Sequence, residues 1–148
     1  MSIVNHTTCR VIYGDTDNMG MAYHANYLRW FEIGRTELFR SLGLPYREIE
    51  ARGLYLPVSE AHCKYLHPVR YDDVLVIETT VDPTVRGGMK FHYAIRIEAD
   101  RTLAARGWTL HACVTPEGKV IRPPAFLKEA IRTCVGLASD DGRESRYP

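Results

Sequence analysis

The sequence has no apolar run approaching the ~20 residues that a membrane-spanning helix requires, so no span is expected. It also lacks an excess of charge. Nineteen Lys and Arg stand against eighteen Asp and Glu, which leaves no general field to draw in nucleic acid or an anionic membrane. Closely spaced cysteines are missing: Cys9, Cys63, Cys113 and Cys134 lie far apart, without a C-x-x-C. No zinc-ligand spacing is therefore present, and buried free thiols are expected. G-x-S-x-G, the P-loop and G-x-G-x-x-G are all absent, which removes the familiar signatures of serine nucleophiles and of phosphate or dinucleotide binding. The opening Met-Ser-Ile-Val-Asn-His carries no basic-then-apolar secretory pattern. The cytoplasm is the expected location.

What is present fits one domain. No repeat, low-complexity tract or linker interrupts the 148 residues, a length able to bury a real core. Residues 1–138 are expected to fold together, and 139–148, rich in Ser, Asp, Gly and Arg, to form a frayed tail. Residues 7–13 alternate as a half-buried strand, with Thr7, Cys9, Val11 and Tyr13 on one face. From about Tyr23 to Leu42 the period becomes helical. Tyr27, Leu28, Trp30, Phe31, Gly34, Leu38, Phe39 and Leu42 share a broad apolar arc. Arg35 falls inside that arc, so it must reach an edge or pair with an acid such as Glu32. Gly34 costs about 1 kcal/mol of helix propensity against Ala, which close approach to a sheet would explain. Gly43 and Pro45 stop the helix.

Strands follow over Leu54–Leu66, Val74–Val81, Lys90–Glu98 and Leu103–Thr115, joined by short turns. Phe91, Tyr93, Ile95 and Ile97 point inward on the third of these, and Trp108, Leu110, Ala112 and Val114 share a face of the fourth. A short helix runs from about Ala125 to Cys134. Short turns imply antiparallel neighbours, and the wide helical arc must be buried against them. The fold class is α+β, a curved five-stranded antiparallel sheet around one long helix.

The chemistry concentrates in Tyr13-Gly-Asp-Thr-Asp17-Asn-Met-Gly20-Met-Ala-Tyr23-His24-Ala-Asn26-Tyr27. Asp15-x-Asp17-x-x-Gly20 imitates a calcium loop, but Met19 and Asn26 occupy the fifth and twelfth ligand positions; no metal is expected. The reactive groups left are Tyr13, Asp17 and His24, gathered by a turn and a helix start. A carboxylate in that setting suits nucleophilic or acid–base chemistry.

That stretch, with Phe31-Glu32-x-Gly-Arg35-Thr36-Glu37 after it and Tyr71-Asp72-Asp73 opening a later strand, resembles the signature of hot-dog-fold acyl-CoA thioesterases. It is most similar to the YbgC-like branch of the 4-hydroxybenzoyl-CoA thioesterase family, over roughly residues 8 to 132. The resemblance implies hydrolysis of an acyl-CoA to free acid and CoA. Asp17 matches the catalytic acid, acting as nucleophile or as general base; Tyr13 and His24 match its partners. Backbone amides of Tyr23 and His24, at the helix start, would receive the oxyanion. Asn26, Tyr27 and Phe31 would line the substrate, and Arg86, Lys90 and Lys64 would meet the phosphates of coenzyme A, with Arg70 a further candidate. Coenzyme A is part of the substrate, so no cofactor is implied. The aryl-CoA branch carries proline after the motif tyrosine, where His24 stands here. The resemblance further implies a homo-oligomer, a dimer and then a tetramer, with sites at the dimer interface. Two alternatives keep the fold: a thioesterase acting on acyl carrier protein, and a non-catalytic acyl-CoA-binding module.

Overall fold

The computed structural model describes residues 2–136; the last residues of the expected domain and its tail, 137–148, lie outside it. In chain order it comprises β1 (Asn5–Arg10), α1 (Asn26–Ser41), α2 (Tyr46–Ala51), β2 (Val58–Tyr65), β3 (Val74–Val81), β4 (Gly88–Ile97), β5 (Leu103–Val114), β6 (Val120–Ile121) and α3 (Ala125–Val135). The sheet is antiparallel in the order β1-β3-β4-β5-β2. The two-residue β6 adds to β5, so the sheet has six strands and the expected five is corrected.

The inner face of the sheet wraps α1. Trp30, Phe31, Leu38 and Phe39 of the helix are fully buried or nearly so against Leu75, Ile77, Phe91 and Ile95. Phe31 stacks on Tyr93 with ring centres 4.3 Å apart and planes at 7°. Burying each such side chain contributes roughly 1.5–3 kcal/mol. Gly34 sits where a Cβ would collide with the Thr79 hydroxyl and the Ile77 methyl, so close helix–sheet approach is its reason for being glycine. At Gly107 of β5 a Cβ would come within 2.8 Å of the Phe31 ring.

Gly107 also decides which way β5 faces. The sequence pattern marks Trp108, Leu110 and Ala112 as one face; the structure turns that face outward and buries Ala105, Gly107, Thr109, His111 and Cys113. Two polar residues enter the core because they satisfy one another. Tyr93 Oη and Thr109 Oγ are 2.6 Å apart, Thr109 Oγ and His111 Nε2 2.8 Å, and His111 Nδ1 is 2.9 Å from the Leu56 carbonyl. A carbonyl only accepts, so Nδ1 carries the proton and Nε2 accepts from Thr109, which in turn accepts from Tyr93. Burial, joined by the charge of Arg35, holds His111 down to about 4, consistent with the neutral ring. The Arg35 guanidinium lies near the Tyr93 hydroxyl, whose pKa burial raises and whose ionised form its charge favours. Arg35 lines a cavity of about 120 Å³ with Glu32, Thr36 and His111, and forms no ion pair with Glu32 among the described residues.

Three boundaries shift. β1 ends at Arg10, and Tyr13–Asp15 forms a 3-10 turn. β2 begins at Val58 after Pro57, which has no N–H to give a ladder, with a bulge between Val58 and Glu60. α1 starts at Asn26, three residues later than the periodicity suggests, because the chain up to Tyr23 is still paired with the preceding turn.

Candidate active site

Residues 15–23 form a miniature hairpin that presents the turn beside the start of α1. Asp17 N donates to the Met21 carbonyl at 2.9 Å, and Tyr23 N to the Asp15 carbonyl at 2.8 Å. Its anchor is Asp15, only 4% exposed. One carboxylate oxygen takes the guanidinium of Arg29 and the other the Ile12 amide at 2.9 Å. The Asp15 carbonyl also receives Asn26 Nδ2 at 2.8 Å. Asn26, expected against the substrate, is thus tied to the scaffold through its Nδ2.

Asp17 is held more lightly. Its Oδ1 accepts the Met19 amide at 2.8 Å, closing an Asx turn. Gly20 takes a positive φ of 76° there, and its carbonyl receives Arg70 Nη1 at 3.1 Å. Arg70, a phosphate candidate in the sequence, braces this turn. The second oxygen of Asp17 has no protein partner among the described residues.

Across the hairpin the chain turns into α1 through His24 and Ala25. The Tyr23 amide is spent on Asp15, which removes it as an oxyanion donor. The amides of His24 and Ala25 have no partner among the described residues. They lie at the positive end of a 16-residue helix. The His24 ring is exposed and lies against Tyr23, with ring centres 4.4 Å apart. Tyr13 is 80% exposed and packs edge-on to Tyr71 at 5.9 Å. Neither its hydroxyl nor the His24 ring is hydrogen-bonded to Asp17 within the single chain.

Periodicity missed Tyr65, at the end of edge strand β2. Its hydroxyl donates to the His24 carbonyl at 2.9 Å, and its ring stands edge-on to Tyr27 at 4.8 Å and to His24 at 6.3 Å. Burial and the neighbouring Cys63 push this phenol up to about 12, so it stays a donor at any ordinary pH. The alternation of β2 was the available signal: Cys63 and Tyr65 point in, His62 and Lys64 out. Tyr27 and Phe31, expected in the substrate lining, are buried in the single chain, 3% and 0% exposed.

The cations separate. Arg86 lines an open cavity of about 570 Å³ with Gly87, Gly88, Arg122 and Lys128. Arg122 and Lys128 come from far along the chain and carried no signal in the sequence. Lys64 and Lys90 are elsewhere, on the outer face of the sheet: Lys90 Nζ is 4.4 Å from the centre of the Trp108 ring, and Lys64 pairs in register with Arg106. They are not brought to Arg86.

Comparison with known proteins agrees with this architecture. The sequence profile of the thioesterase-like superfamily matches residues 11–131. YneP of Bacillus subtilis is 34% identical over 126 residues, spanning 84% of this chain and 88% of that protein. The acyl-CoA thioester hydrolase YbgC of Escherichia coli O6:H1 is 33% identical over 122 residues, 82% and 89% of the two chains. The crystal structure of a DHNA-CoA thioesterase from Staphylococcus aureus superposes with a TM-score of 0.82 at 29% identity, covering 88% of this chain and 89% of that one.

Proposed function

The chain belongs to the thioesterase-like superfamily, and on that premise we propose that it hydrolyses acyl-CoA thioesters at Asp17. The observation that carries this reading is the asymmetry of the turn: one carboxylate oxygen is fixed by the Met19 amide, while among the described residues the other has no partner and two amides at the neighbouring helix start are unpaired. The uncommitted oxygen attacks the thioester carbonyl, giving a mixed anhydride and a thiolate, or removes a proton from the water that attacks it. Either way, negative charge collects on the carbonyl oxygen, where the His24 and Ala25 amides and the helix dipole stabilise it. Tyr65 holds the His24 carbonyl and so the orientation of the adjoining amide. Coenzyme A supplies the leaving thiolate, which needs little help from an acid; its phosphates are met by Arg86, Arg122 and Lys128.

A single chain leaves the site open to solvent, and β2 explains how it is covered. Seven of the eight residues of this edge strand are exposed; Tyr65 at its end, beside His24, and Leu66 just after it are exposed apolar groups. Sheet edges left unpaired among the described residues, as this one is, are normally covered. Two copies pairing along β2 form a dimer whose sites lie at the seam, and Tyr13 or His24 of one copy reaches the other's Asp17 there. Sedimentation at micromolar concentration tests the assembly; a monomer overturns it. Thiol release from a panel of acyl-CoAs tests the activity, with Asp17→Asn as the decisive variant. Undiminished turnover by the folded variant removes Asp17 from the mechanism.

A further inference from the structure

Lys64 and Lys90 are left over from the catalytic turn, and the outer face of the sheet gives them company. Lys64 of β2 stands directly opposite Arg106 of β5. Like charges facing each other across two strands destabilise the pair, and neither cation has a carboxylate partner among the described residues. The chain as a whole carries a formal charge of only +1, so this surplus is local.

The adjacent row of the same face sets His62, Trp108 and His92 side by side. His62 stacks on Trp108 with ring centres 5.8 Å apart and planes at 19°, and Lys90 rests on the indole. Two acids of this face are already taken, Glu78 by Arg96 at 3.1 Å and Asp82 by His92 at 2.6 Å. Glu60 stands one row away, opposite Leu110. Thr80 and Ala94 are small, and an open dish of about 690 Å³ lies over them. The dish is on the side of the sheet away from α1 and Asp17.

An aromatic pair beside three cations, one of them lying over the indole, describes a ligand with a planar ring and at least two negative charges. Bases stack on aromatic side chains, and phosphates pair with Lys and Arg. We propose that this outer face binds a purine nucleoside diphosphate, its base on the Trp108–His62 platform and its phosphates between Lys64 and Arg106, with Lys90 swinging from the indole to join them. The ligand relieves the Lys64–Arg106 repulsion that the free sheet carries. The site is separate from the catalytic turn and does not depend on the reaction assigned to it.

Titration of the intact protein with ADP, followed by tryptophan emission and by calorimetry, tests the proposal. Trp30 is fully buried and Trp108 half-buried, so a saturable quench reports the platform. The expected dissociation constant is on the order of 0.1 mM. The double variant Lys64→Ala, Arg106→Ala, its fold checked by circular dichroism, weakens it about tenfold or more. Trp108→Phe abolishes the quench, while the Asp17→Asn protein binds ADP as the parent does. Four results overturn the proposal: no binding up to millimolar ADP, binding unchanged in the double variant, displacement of ADP by an acyl-pantetheine that lacks the nucleotide, or a tetramer that the double variant reduces to a dimer. The last would assign this face to a second copy of the chain.

Discussion

Asp15 and Asp17 stand two residues apart in one turn and are treated oppositely by the structure. Asp15 is buried, with both carboxylate oxygens engaged by Arg29 and Ile12 and its carbonyl by Tyr23 and Asn26. Asp17 spends one oxygen on the Met19 amide and leaves the other uncommitted. The difference teaches that the same side chain serves as mortar or as reagent according to how many of its lone pairs the fold consumes. A fully satisfied carboxylate fixes geometry; a half-satisfied one has something left to offer.

Substitutions can break this comparison at either end. Asp17→Asn is expected to lower thioester hydrolysis by about 10²-fold or more while leaving the melting temperature nearly unchanged, as read by thiol release and thermal unfolding. Asp15→Asn inverts the pattern. It leaves Arg29 without its partner and is expected to cost about 2–4 kcal/mol of stability, measured by urea denaturation. If Asp15→Asn retained full stability and lost only turnover, the division of labour would be wrong. Gly34→Ala, far from both carboxylates, is expected to cost about 1–3 kcal/mol through collision with Thr79 and Ile77.

Tyr65→Phe sharpens the contrast more gently. It keeps the ring packing and deletes only the bond to the His24 carbonyl, a loss of about 1 kcal/mol. The expected result is a several-fold fall in kcat with KM preserved and a melting temperature lower by only about 2–5 °C. Finally, pH separates the turn from the core. His111 is held down to about 4 from an ordinary 6.5, so the unfolded chain binds a proton more readily than the native one between those values. The associated stability is fully present above pH 6.5 and is lost as pH falls toward 4. Unfolding free energies measured across that interval are expected to fall with pH in the parent, and the slope to flatten in His111→Gln.

Much of this was legible before any coordinates. The alternation of Phe91, Tyr93, Ile95 and Ile97 gave β4 its inward face, the broad arc of α1 announced a buried helix, and Gly34 announced a close approach. The turn was legible as a cluster of reactive types. Other features depended on partners far apart in the chain. Thr109 and His111 look like surface residues of β5 until Tyr93 and Leu56 arrive to bond them, and Trp108 looks like core until Gly107 must face Phe31. Lys90 seemed a neighbour of Arg86 because the two are four residues apart. A strand separates them, since alternation puts Lys90 on the far face. Arg122 and Lys128 join Arg86 only through the fold.

The line from Arg35 through Tyr93, Thr109 and His111 to the Leu56 carbonyl has a direction, each hydroxyl handing its hydrogen toward the imidazole. A second proton on the ring would need Thr109 to turn its hydrogen back, then Tyr93 to do the same against a guanidinium that has none to accept. The interior thereby resists a second proton on His111, and the same bonded line ties β4 and β5 to the segment that leads into β2.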